Sequence, residues 1–199
     1  MRSSRQDLRV RLMELAGSQA GYFTAAQAKD LGYSYQAQKH HVDHGNWVRV
    51  DRGIFRLVGW PSGPSDSLVR WVLWTRQLGV VSHETAATVW DVGVANPAKV
   101  HLTVPPGFRS NDDLVVLHRA VLDPIDVTVR DAVGVTTPLR TLLDLAESSS
   151  ADPDIAVSAI DDAVARGLVT RRALRDRAEQ LSPRAAALID DALSERRAS

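Results

Sequence analysis

The sequence predicts an α+β fold in two parts, and three observations carry that prediction. Three short segments ahead of Gly45 have apolar residues at helical spacing, punctuated by Gly17, Gly21 and Gly32. An aromatic and β-branched run from Trp47 to Val58 follows, divided at Asp51-Arg52-Gly53. Beyond the stretch Pro61-Ser62-Gly63-Pro64-Ser65, strand-like and helix-like segments mix before the chain turns helical to its end.

Helix one is expected over about Arg5–Ala16, where Leu8, Leu12 and Leu15 recur with Val10 and Met13 beside them. After a turn at Gly21, Thr24 stands at the N-cap position before AAQAKDL, and Gly32 at the stop position. Ser34 is the next N-cap and opens YQAQKHHVDH, which closes at Gly45. WVRVDRGIFRLV then reads as a β-hairpin. Three helices and a hairpin in this order form a winged helix-turn-helix, in which the helix before the wing enters a DNA major groove. The Pro, Gly and Ser stretch sets the expected boundary, giving a head over residues 1–60 and a second domain over 61–199.

In the second domain, Ser65 or Ser67 caps a largely buried helix from Asp66 to about Leu78, with Leu68, Trp71, Val72 and Trp74. Ser82 caps a short helix through Trp90. KVHLTV, LVVLHRA and IDVTVRDAVGV read as three strands, a small sheet over about 99–136. Thr137 and Pro138 start a helix, with proline where a missing N–H costs least. Helices over about Asp152–Arg166, Thr170–Gln180 and Pro183–Glu195 complete a helical region of about 137–197. The five tryptophans are expected in cores, with Trp60 sealing the two domains together.

The 199 residues, 44% apolar and 24% charged, suffice for a buried core. Absence of cysteine excludes disulfides, thiolate metal sites and a cysteine nucleophile. The charged start MRSSRQDLRV has no apolar signal region, and no apolar run approaches the roughly 20 residues of a membrane span, so a cytoplasmic protein is expected. Net charge is zero, yet residues 1–60 hold nine basic against five acidic side chains and the remainder fifteen against nineteen. That asymmetry suits a nucleic-acid-binding head on an acidic body.

On the third helix, Ser34, Tyr35, Gln36, Gln38, Lys39 and His40 are candidates for base edges and phosphates, glutamine pairing naturally with adenine. Arg49, Arg52 and Arg56 place cations along the wing, and Lys39, Arg49 and Arg52 are the leading phosphate contacts. The competing reading is a head of ordinary solvated charges that serves protein contacts alone.

No enzyme is expected. His40-His41-Val42-Asp43-His44 imitates a zinc-protease helix, but His41 replaces the glutamate base and no third ligand follows, so no metal or other cofactor is predicted. His83-Glu84, His101 and His118 read as structural histidines, since there is no GxSxG elbow or phosphate-cradling loop. Lys29, Lys39 and Lys99 do not stand two residues after a glutamate, as a nuclease motif requires. Asp123, Asp126 and Asp131 fall across a turn and a strand without converging.

Two stretches together resemble one family. GYFTAAQAKDLGYSYQAQKHHVDHGNWVRVDRGIFRL is similar to the winged-helix head of AbiEi-type antitoxins, and VVSHETAATVWDVG, KVHLTV and GVTTPLRTLLDLA to the body that follows it. The resemblance implies a bacterial toxin–antitoxin system in which the head represses its own operon at promoter inverted repeats. It implies also that the C-terminal domain opposes a nucleotidyltransferase-like toxin, whether by binding it, modifying it or acting on its target. The family's basic head falls on Lys39, Arg49, Arg52 and Arg56. Some related chains continue into a nuclease-like domain, whereas this sequence stops after its helical region, a further reason to expect no endonuclease. The alternative from the residues alone is a winged-helix repressor with a ligand-sensing C-terminal domain and no toxin partner.

Overall fold

The structure, a computed structural model, describes residues 4–63, 65–148 and 152–195; Pro64 of the expected linker lies outside them. The fold is α+β, and its contacts gather into two compact units, residues 1–77 with 129–133, and residues 78–128 with 134–199.

The first unit begins with helix α1 (Arg5–Gly17), whose N-cap Ser4 accepts from Asp7 N while the Asp7 carboxylate accepts from Ser4 N. Strand β1 (Tyr22–Thr24) leads into α2 (Ala25–Leu31), α3 (Tyr35–Asp43) and the wing strands β2 (Trp47–Asp51) and β3 (Ile54–Leu57). Thr24 and Gln27 form a second capping box, and Gly32 ends α2 in the left-handed region at φ 115°. The wing is a three-stranded sheet of order β1-β3-β2, with Phe23 opposite Phe55. Three residues are too short a run to show a period of two, so β1 was not legible as a strand. Leu12, Ala16, Phe23, Ala28, Tyr33, Trp47 and Phe55 form the core beneath, where Phe23 meets Trp47 edge-on at 4.8 Å.

Trp60 packs within this unit, against Gly17 and Gly21. Gly21 has φ +85°, and a Cβ there would lie 2.3 Å from Cγ of Trp60. Gly21→Ala should therefore destabilise the head by about 2–3 kcal/mol, from left-handed strain plus displacement of the indole. Urea denaturation followed by tryptophan fluorescence checks this, and an unchanged midpoint would show that Trp60 moves aside freely.

Helix α4 (Asp66–Trp74) also belongs to the first unit, so the contacts divide the chain after Gln77 rather than at the linker near Trp60. The reason is a set of polar ties. Arg56 bonds Asp66 at 2.7 Å, Arg70 bonds Asp51 at 2.8 Å, and Gln77 donates to Gln19 at 2.9 Å. The helix stops short of Leu78 because Arg76 and Gln77 take positive φ, 58° and 63°.

The second unit contains β4 (Val80–Val81), α5 (His83–Trp90), β5 (Val100–Val104), β6 (Val115–Arg119), a 3-10 turn at Pro124–Asp126 and parts of β7 (Val127–Arg130) and β8 (Val133–Thr136), whose residues 129, 130 and 133 are grouped with the first. Its sheet has five strands in the order β6-β5-β4-β8-β7, where three were expected. β5 pairs β6 in parallel and β4 antiparallel, and β4 pairs β8 in parallel. IDVTVRDAVGV is two strands, turned by Asp131 and Ala132 at φ 48° and 69°. Asp-Ala lacks the glycine that marks such turns in sequence. Ser82 holds the N-cap position of α5, but its hydroxyl makes no cap bond and accepts instead from Thr103 Oγ1 at 2.8 Å.

Helices α6 (Pro138–Glu147), α7 (Pro153–Ala165), α8 (Arg171–Ala178) and α9 (Pro183–Glu195) complete the unit. Thr137 caps α6 with Pro138 in its first turn. Leu142, Leu145, Ile160, Leu174, Ile189 and Leu193 are buried together. Among the described residues, no helix is long and apolar enough to cross a membrane.

Candidate nucleic-acid interface

Helix α3 starts at Ser34, whose hydroxyl accepts from Ala37 N at 3.2 Å. Tyr35, Lys39 and Asp43 follow one another at i, i+4 spacing and form one exposed row; Gln36 and His40 form a second row beside it. Tyr35 is 63% exposed, and Lys29 of α2 places its ammonium 5.3 Å from the Tyr35 ring centre. Lys39 is paired with Asp43 at 2.5 Å. His40 and His44 lie ring to ring at 3.8 Å, with His44 Nδ1 2.9 Å from the His40 carbonyl. The polar face is thus continuous over two turns of helix.

Two of the nine sequence candidates leave this surface. Gln38 is 2% exposed, and its Nε2 donates to the carbonyls of Ala25 and Tyr33, each at 3.0 Å. It holds α3 against α2 and cannot reach a base edge. At 3.6 residues per turn Gln36 and Gln38 point roughly 160° apart, so only one of them could face outward. Arg56 is the second: its Nη2 donates to Asp66 at 2.7 Å and to the Pro61 carbonyl at 2.9 Å, and its guanidinium lies 5.1 Å from the Tyr22 ring centre. With its side chain 19% exposed, Arg56 fastens β3 to α4.

Ser34, Tyr35, Gln36, Lys39, His40, Arg49 and Arg52 are all exposed. Arg49 passes 5.6 Å from the Phe55 ring centre, and Arg52 occupies the turn of the wing. Asp51, the last residue of β2, accepts from Arg70 Nη2 and Nε at 2.8 and 3.2 Å and from Arg52 N at 2.6 Å. Arg70 holds the Asp51 carboxyl below its ordinary range, and the same bonds brace the wing on α4. Lys29, Asp43 and Arg70 were not among the sequence candidates. Asp43 is legible from helical spacing once α3 is placed, whereas the Lys29 contact crosses from α2 and the Arg70 contact spans 19 residues, neither with a local signal.

The second unit gathers His83, His101 and His118 from α5, β5 and β6. His118 Nε2 lies 3.2 Å from His101 Nδ1, His83 stacks on His118 at 3.4 Å, and His83 Nδ1 is 2.9 Å from Ser82 Oγ. Burial first, then the neighbouring imidazoles, push His83 down to about 2 and His118 down to about 4. The three rings are thereby neutral partners of one another at ordinary pH. Among the described residues, no three His, Asp or Glu side chains are arranged to hold a metal ion.

The three aspartates weighed for hydrolysis have separate tasks. Asp123 caps the 3-10 turn, Asp131 accepts from Ser65 Oγ at 3.3 Å, and Asp126 accepts from Arg177 at 3.0 Å and Arg140 at 3.2 Å. Arg140 also bonds Asp144 at 2.7 Å, yet burial pushes Asp144 up to about 6.

Three comparisons with known proteins bear on this arrangement. The RV2827C protein from Mycobacterium tuberculosis has a similar structure, with a TM-score of 0.57 and 17% identity, covering 96% of this chain and 78% of that one. At that identity the likeness shows the fold. No curated protein matches the chain. Residues 10–58 match the family described as transcriptional regulator, AbiEi antitoxin, which supports an antitoxin or regulator role. This is the family that the sequence resembles, and the matched residues run from within α1 to the end of the wing.

Proposed function

We propose that this protein is the antitoxin of a bacterial toxin–antitoxin system, repressing its own operon by binding inverted repeats in the promoter and opposing a nucleotidyltransferase-like toxin. The observation that carries this reading is the coincidence of the AbiEi match, residues 10–58, with an exposed polar face on α3 beside the exposed arginines of the wing. Tyr35, Gln36 and His40 face base edges in the major groove, and Lys39, Arg49 and Arg52 meet phosphates. The second unit supplies the toxin-directed function without catalysis, and the whole acts in the cytoplasm.

Arg52→Ala should weaken binding to promoter duplex and reduce the magnitude of the slope of log affinity against log salt by up to about one phosphate. An unchanged slope would remove Arg52 from the interface. Co-expression of the full chain with the neighbouring operon gene tests the second half of the proposal. Growth rescue by wild type and by Arg52→Ala alike is the expected result, because neutralisation resides outside the wing. Absence of rescue by stable wild-type protein would leave a DNA-binding regulator without a toxin.

A further inference from the structure

Asp43 is an acid on the face offered to DNA. It is the last residue of α3, where the helix dipole disfavours negative charge, and it continues the exposed row of Tyr35 and Lys39. The Lys39 ammonium bonds its carboxylate and holds it below its ordinary range. Each charge on this row is matched by the other, and both side chains are open to solvent.

We propose that Asp43 is a specificity-determining residue, an electrostatic filter that suppresses binding to duplex of arbitrary sequence. The inference rests on the nucleic-acid reading of α3 and deepens it. A duplex of any sequence offers phosphates, and a bare Lys39 would be drawn to them with no regard for the bases. Asp43 competes for that ammonium and repels the same phosphates. Affinity through α3 must therefore come from groups that read bases, above all Gln36, whose amide matches the N6 and N7 atoms of adenine, and Tyr35, whose exposed ring suits the thymine methyl. On arbitrary duplex the attraction is left to Lys29, Arg49 and Arg52, on α2 and the wing, and Lys39 meets its phosphate only where matching bases seat α3 in the groove.

The test uses the full chain, a duplex selected by wild-type protein from a random-sequence pool, and sheared mixed-sequence DNA as the arbitrary duplex. Asp43→Asn should bind the mixed-sequence DNA about five- to eightfold more tightly at ~0.1 M salt, with the salt slope steeper by about 0.9, the value of one added phosphate contact. Affinity for the selected duplex should rise by a smaller factor, so the ratio of the two falls. Lys39→Gln combined with Asp43→Asn should return mixed-sequence affinity to near the wild-type value, a result that a merely structural effect of Asp43 at the helix end would not give. A selectivity ratio unchanged in Asp43→Asn, with wild type binding the selected duplex, overturns this inference alone. Wild-type protein that selects no duplex overturns the nucleic-acid reading and the filter with it.

Discussion

Asp126→Ala should destabilise the second unit by roughly 3–5 kcal/mol, the cost of breaking a buried ion pair from one side. The Asp126 side chain is 4% exposed and receives Arg177 from α8 and Arg140 from α6, while its backbone carbonyl accepts from Thr137 N at 2.8 Å. One carboxylate thus anchors two helices to the turn before β7. Its removal strands two half-buried guanidiniums; Arg140 keeps only Asp144, whose Oδ2 is already buried without a partner. Urea denaturation of the full chain, followed by far-ultraviolet circular dichroism, measures the effect. A loss below about 1 kcal/mol would mean that water replaces the carboxylate and that packing alone fixes α6 and α8.

Acid should weaken the second unit well above the range in which carboxylates usually titrate. His83 and His118 have folded pKa values depressed to about 2 and about 4, against an unfolded value near 6.5. A group neutral when folded and protonated when unfolded leaves stability intact above about pH 6.5 and removes it as pH falls toward the folded pKa. The slope is up to about 1.4 kcal/mol per pH unit for His83, and less for His118, which solvent reaches more readily. Asp144 acts in the opposite sense. Its folded pKa of about 6 lies above the unfolded value, so it favours unfolding as pH rises through that window and offsets part of the loss as pH falls. The expected net loss between pH 7 and pH 5 is on the order of 1–2 kcal/mol, read from urea midpoints. His83→Asn tolerates the left-handed backbone at that position, φ 52°, and should flatten the profile. A profile as steep in the variant as in wild type would place the acid sensitivity elsewhere.

Local chemistry made much of this molecule legible. Ser34, Thr24 and Thr137 satisfy the first N–H groups of their helices, and these bonds need only residues three positions apart. Gly32 ends α2 where the spacing of apolar residues stops, for want of Cβ strain. The wing announces itself through β-branched and aromatic residues around Asp51-Arg52-Gly53. From these elements came the α+β class, the winged head, and an outward helix bearing Tyr35, Gln36, Lys39 and His40.

What sequence could not show depends on partners distant along the chain. Gln38 and Arg56 have the composition of DNA contacts, but Ala25 and Tyr33 claim one and Asp66 the other. The linker at Pro61 looks like a boundary, yet Asp51–Arg70 and Gln19–Gln77 bonds carry α4 into the first unit. The histidines of α5, β5 and β6 meet only because β5 and β6 pair in parallel with Thr103 opposite His118. By itself, then, the sequence determined the helices, the wing hairpin and most of the helix caps, because these follow from spacing of a few residues. Only the tertiary structure decided which polar side chains remain free to meet another molecule, because a side chain's availability is set by whatever the fold brings within about 3 Å of it.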